Sequence, residues 1–165
     1  MADHGQSGGH EVYRLPSMSK AEVDRLLKHG RICRMALNDS PQPYIIPLDY
    51  VYVNGKLYFH FADYGKKMEL FKKDPHVSVE VDRFNDGITE YESVTLLGTL
   101  VKVTDTIEKK VASGALISTI DNRGREKNVA ARHGYEEMDE KALVAPGSVV
   151  LRLDVNDFIA LKSPA

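Results

Sequence analysis

Asn54-Gly55 sits between two runs of β-branched, aromatic and aliphatic residues, Tyr44 to Val53 and Lys56 to about Ala62. A two-residue type I′ turn needs positive φ at both central positions, and Asn-Gly is the pair that adopts it most cheaply. The two runs are therefore expected to fold back as an antiparallel hairpin, so the middle of the chain is committed to a sheet. Pro47 lies inside the first run, where its missing N–H predicts an edge position, a bulge, or backbone that faces a ligand.

The flanking segments supply more strands and two kinds of helix. Ser19 and Glu22 form a capping-box pattern, Val23, Leu26 and Leu27 follow at helical spacing, and His29-Gly30 marks the stop. The period then changes to two through Ile32, Cys33, Met35 and Leu37, up to the turn cluster Asn38-Asp39-Ser40-Pro41. A second helix is expected after Gly65, ending before Asp74-Pro75. Val77, Val79 and Val81 alternate with polar residues as another strand, and Ser93 to Val103 makes a long β run whose Gly98 predicts a bulge. Residues 106 to 145 read as a helical insert, with Ile107, Val111, Ala115 and Ile117 on one stripe, before a last strand from Val149 to about Leu161. The expected fold is mainly β with peripheral helices, a six-stranded antiparallel barrel. At 165 residues one domain is expected, over 16–165, preceded by a flexible N-terminal arm over 1–15 rich in glycine and polar residues.

Composition narrows the function classes. With 42% hydrophobic and 28% charged residues, a formal net charge of −2, and no apolar run long enough for a bilayer, neither a nucleic-acid nor a membrane partner is implied. The single cysteine, Cys33, excludes an intramolecular disulfide and suits a reducing cytoplasm; its place in the first strand reads as a core thiol. There is no Walker-type loop, no G-x-G-x-x-G after a strand, no paired CxxC and no HExxH, so no metal site is expected.

One local feature runs against propensity. The helix expected after Gly65 opens with Lys66 and Lys67, although the positive end of a helix dipole favours acidic residues. A solvated lysine pair is the plain explanation, and a bound anion the functional one. His60 shares a strand face with Tyr58 and Ala62, aimed either at a ligand or into the core.

Gly30-Arg31 entering the first strand, Pro47 with Tyr50-Val51-Tyr52, the stretch from Asn54 through His60 to Ala62, Gly65-Lys66-Lys67, Asp74-Pro75, Glu80-Val81-Asp82 and Tyr91-Glu92-Ser93-Val94 together closely resemble the FMN-binding split-barrel family. The branch they are similar to is the pyridoxamine 5′-phosphate oxidase-related group that includes nitroimidazole-resistance proteins, with the best coverage over residues 18 to 104. The resemblance implies FMN bound at a homodimer interface. Its phosphate would lie at Gly65, Lys66 and Lys67, where unsatisfied helix N–H groups and two cations meet a dianion. It also implies ring contacts from Pro47, Leu48, Asp49 and Tyr50, cofactor contacts from His60 and Ala62, and a hydroxyl from Ser93 to phosphate or ribityl oxygens. It does not designate a catalytic residue. The implied activity is an oxidoreductase passing hydride or electrons to a small nitro-aromatic or quinone-like acceptor. A non-catalytic flavin carrier or sensor is the second reading, and haem binding or degradation through His60 or His133 the third. The chain departs from true pyridoxamine-phosphate oxidases in having no tryptophan and in its last strand, Val149 to Asp154, so vitamin B6 oxidation is disfavoured.

Overall fold

The computed structural model describes residues 14–121 and 147–164. The elements run α1 (Lys20–His29), β1 (Ile32–Leu37), β2 (Tyr44–Asp49), β3 (Val51–Val53), β4 (Lys56–Ala62), α2 (Lys66–Lys73), β5 (His76–Phe84), β6 (Tyr91–Lys102), α3 (Thr106–Asp121) and β7 (Ser148–Lys162). Most of the arm and the later insert, including Arg123 to Lys127, His133 and Glu136 to Val144, lie outside the described residues.

The strands form one curled sheet in the order β2-β1-β5-β6-β7-β4-β3, and every pairing is antiparallel. This is a split β-barrel, with seven strands among the described residues where six were expected. The extra strand arises at Tyr50. Before it, β2 pairs with β1; after it, β3 pairs with β4. Tyr50 makes the corner, its N–H donating to the Arg31 carbonyl and its hydroxyl to the Leu27 carbonyl at 2.9 Å. The hydroxyl packs so tightly beneath the end of α1 that a Cβ at Gly30 would collide with it.

The hairpin is as expected: Asn54 and Gly55 have φ of 52° and 75°, and Val53 faces Lys56. Pro47 lies on an edge strand, opposite Arg34. Gly98 marks a register shift against β7, and a Cβ there would strike the Asp154 carbonyl oxygen. The helix α1 is held by the full capping box of Ser19 and Glu22.

Alternation on the strands places Met35, Leu37, Phe59, Phe61, Val79, Val94 and Leu151 in one core inside the curl. Cys33 belongs to it, and burial pushes its thiol up to about 12, which keeps it protonated and unreactive. A second cluster forms on the other face of β4 and β7, where Val51, Tyr58, Val103 and Val150 meet Ala112 and Leu116 of α3. The buried stripe of α3 therefore differs from the expected one: Ile107 and Val111 are 75% and 45% exposed. The reason is ionic. Glu108 accepts from Arg152 at 2.8 and 3.0 Å and from the Tyr58 hydroxyl at 2.9 Å, which turns its own face, the one carrying Ala112 and Leu116, toward the sheet. Among the described residues no helix is long and apolar enough to cross a membrane.

Candidate functional site

A cleft of about 400 Å³ opens beside β2, within the range of small-molecule sites. Tyr44, Ile46, Pro47, Leu48 and Asp49 of β2 line it, with Ile32 from β1, His60 from β4 and Lys67 from α2. Consecutive residues from both faces of β2 contribute, so the cleft follows the edge of the strand that β1 does not pair. An edge strand turns alternate N–H and C=O groups away from its sheet, and Pro47 removes one donor from that row. The cleft thus has an aliphatic and aromatic wall, outward backbone groups, and three side chains able to carry charge.

The second helix begins here because Gly65, at φ 85°, redirects the chain after β4. Its first intrahelical bond is donated by Met68 to the Gly65 carbonyl at 3.0 Å, so the N–H groups of Gly65, Lys66 and Lys67 precede the helical ladder. The two lysines then part company. Lys66 is exposed, and its Nζ lies 2.7 Å from Asp39 Oδ2 and 4.8 Å from the centre of the Tyr44 ring; the hydrogen bond to Asp39 raises its pKa. Lys67 is half-buried in the cleft wall, with Nζ 4.8 Å from the centre of the Phe61 ring. Among the described residues no carboxylate lies within ion-pair distance of it, and desolvation lowers its pKa. A cation held in that way is poised for an anion.

His60 is buried, with Nε2 2.9 Å from the Ser148 Oγ. It stands opposite Val150 on β7, on the β4 face that Tyr58 shares, between the second cluster and the cleft.

Of the residues expected at a site, the structure brings Pro47, Leu48, Asp49, His60 and Lys67 around one cleft, with Lys66 and Gly65 at its α2 end. Ala62 is next along β4 and pairs with Ser148, without lining the cleft. Tyr50 does not join them: its ring is 2% exposed and both its N–H and its hydroxyl are spent on the α1 corner. Ser93 stands on β6, across β1 and β5 from β2, and its hydroxyl donates to Glu80 Oε1 at 3.3 Å. Tyr44, Ile46, Ile32 and Ser148 were not anticipated. The apolar three are ordinary strand residues in sequence, and only the edge position of Pro47 hinted that its neighbours would border open space. Ser148 follows a glycine at the start of a strand whose partner no local pattern reveals.

Sheet order, curl and cleft define a split barrel with a ligand-sized opening along its edge strand. The chain belongs to the pyridoxamine 5′-phosphate oxidase family, whose profile matches residues 19–160. A FAD-binding protein of Mesorhizobium loti has a similar structure, with a TM-score of 0.63 at 26% identity, covering 91% of this chain and 99% of that one. A candidate 5-nitroimidazole antibiotic resistance protein of Bacteroides thetaiotaomicron superposes with a TM-score of 0.60 at 17% identity, over 94% and 98% of the two chains, a likeness of fold alone. An uncharacterized protein of Rhizobium meliloti (strain 1021) is 30% identical over 81 residues, which span 49% of this chain and 52% of that protein.

Proposed function

We propose that this chain binds a flavin in the cleft beside β2, with FMN as the preferred form, and serves as an oxidoreductase toward a small nitro-aromatic or quinone-like acceptor. The observation that carries this reading is Lys67: a half-buried cation without a carboxylate partner among the described residues, at the start of α2 and facing a cleft with an apolar wall. A terminal phosphate there would meet the Lys67 amine and the leading N–H groups of the helix. The β2 wall suits a flat ring with a polar edge, since Tyr44, Ile46 and Leu48 offer apolar surface and the β2 edge offers backbone groups. The flavin, when bound, supplies the redox chemistry. The chain's own part is to hold the phosphate with Lys67, orient the ring along β2, and present His60 to it.

The same reading makes the working unit a cytoplasmic homodimer, because a cleft open along one strand edge covers only part of a ring and a second copy would close it. FAD is the second reading, favoured by the Mesorhizobium loti relative named for it. An absorption spectrum of the purified protein, followed by titration with FMN, FAD and riboflavin, tests both. FMN is expected to bind most tightly. Equal or tighter FAD binding would move the assignment to FAD, a Soret band in place of flavin bands would favour haem, and absence of flavin binding would sink the proposal. Turnover of a reductant with nitro-aromatic or quinone acceptors separates an oxidoreductase from a flavin carrier.

A further inference from the structure

His60 and Ser148 are both almost fully buried, at 5% and 6% exposure, and their side chains lie 2.9 Å apart. They come from strands far apart in sequence, and three features bring them together. The β4–β7 ladder sets Ala62 opposite Ser148 and His60 opposite Val150, so the two side chains are diagonal neighbours on one face. Gly147, at φ 93°, turns the chain into β7 through backbone that other residues adopt only with strain. The Asp63 N–H then fixes that turn by donating to the Gly147 carbonyl at 2.9 Å. A serine at the first position of β7 is thus locked against a histidine that borders the cleft.

An imidazole ring has two distinct nitrogens, and a hydrogen bond held at one fixes the plane of the ring; a hydroxyl, which donates or accepts, does so in either tautomer. From this geometry we infer that Ser148 is a positioning residue for the cleft: its hydroxyl engages Nε2 of His60, fixes the rotamer and plane of that ring, and so sets what His60 presents to the bound flavin. This rests on the flavin reading above. Ser148 acts through His60 and need not touch the ligand.

The test uses the full chain with Ser148→Ala, Ser148→Thr and His60→Ala, read in two ways. In the flavin-free protein, ¹⁵N shifts of the His60 ring nitrogens report the hydrogen bond made at each of them. Ser148→Ala is expected to change them and Ser148→Thr, which keeps the hydroxyl, to preserve them. With FMN bound, the absorption maxima and the midpoint potential should shift in Ser148→Ala in the same sense as in His60→Ala. Adding Ser148→Ala to His60→Ala should shift them no further, and Ser148→Thr should stay near the parent. Ring nitrogens indifferent to Ser148→Ala would overturn the inference. So would a flavin signature that Ser148→Ala leaves in place while His60→Ala moves it, or full additivity in the double variant. If the parent protein binds no flavin, the functional proposal falls and the effect of Ser148 on the flavin falls with it, while the nitrogen shifts still decide whether Ser148 sets the ring.

Discussion

Lys67→Gln separates a phosphate site from a merely basic helix end. In the structure Lys67 is half-buried with its amine over the Phe61 ring and, among the described residues, no carboxylate within ion-pair distance, whereas Lys66 is exposed and already engaged by Asp39. A charge-assisted hydrogen bond from Lys67 to a phosphate contributes roughly 1.5–3 kcal/mol, and every 1.4 kcal/mol is about tenfold in affinity. Lys67→Gln should therefore weaken FMN binding by about 10- to 150-fold, measured by fluorescence titration. Lys66→Gln should weaken it less, because Asp39 competes for that amine. Riboflavin lacks the phosphate, and its affinity should scarcely change in either variant. The empty protein should respond oppositely. Burial holds the folded-state pKa of Lys67 below its ordinary value of 10.5, so below both values the charged amine costs stability, and between them the unfolded chain binds more protons. That cost fades as pH rises toward the ordinary value. Lys67→Gln should thus stabilise the flavin-free protein at pH 7, with a gain that narrows in alkaline buffer. Equal losses for FMN and riboflavin, or a larger loss for Lys66→Gln, would refute the reasoning.

His60→Ala should alter the spectrum or reactivity of bound flavin more than it alters folding; a variant that loses several kcal/mol in denaturant yet binds and reduces flavin normally would make His60 a core residue. The flavin-loaded protein should sediment as a homodimer at micromolar concentration, and a monomer would count against the proposed closure of the cleft. Glu22→Gln should destabilise the protein at neutral pH. The hydrogen bonds to Glu22, first from Lys162 and then from the Ser19 N–H, lower its carboxyl from 4.5 to about 2, so the stability it contributes is present above pH 4.5 and lost as pH falls toward 2. Chemical denaturation of the two proteins across that window should show the difference vanishing at its acid end. Gly98→Ala should cost roughly 1–3 kcal/mol, because the added methyl meets the rigid Asp154 carbonyl at the bulge. A fully tolerated alanine, judged by urea unfolding, would mean that the register shift is not needed there.

Most of the sheet was legible because the governing signals are local. Asn54-Gly55 announced its hairpin, Ser19 and Glu22 their cap, and Gly98 its bulge. What escaped is what depends on partners distant in sequence. The break at Tyr50 cannot be seen in an uninterrupted β run; it arises because Asp49 faces Ile32 while Val51 faces Tyr58. The stripe of α3 was misplaced because hydrophobic spacing alone could not weigh Glu108, whose bonds to Arg152 and Tyr58 rotate the helix. The candidate site divides in the same way. Lys67 and Pro47 betrayed themselves by local conflict, a cation at a helix start and a proline within a strand. Tyr50 carried a motif's signature but serves the corner, and Ser148 had no signature until β7 was laid against β4.

The place of β7 in the sheet bears on how the protein emerges from the ribosome. It pairs with β6 on one side and β4 on the other, and among the described strands it follows all the others in the chain. Until it arrives, the sheet is two separate pieces, a four-stranded unit of β2, β1, β5 and β6 and the small hairpin of β3 and β4. The cleft takes residues from both pieces, and the β7 ladder is what joins its two walls into one sheet. A chain stalled before residue 147 should therefore protect amides of β1 and β5 from exchange while those of Phe59 to Ala62, whose ladder partners all lie on β7, remain open.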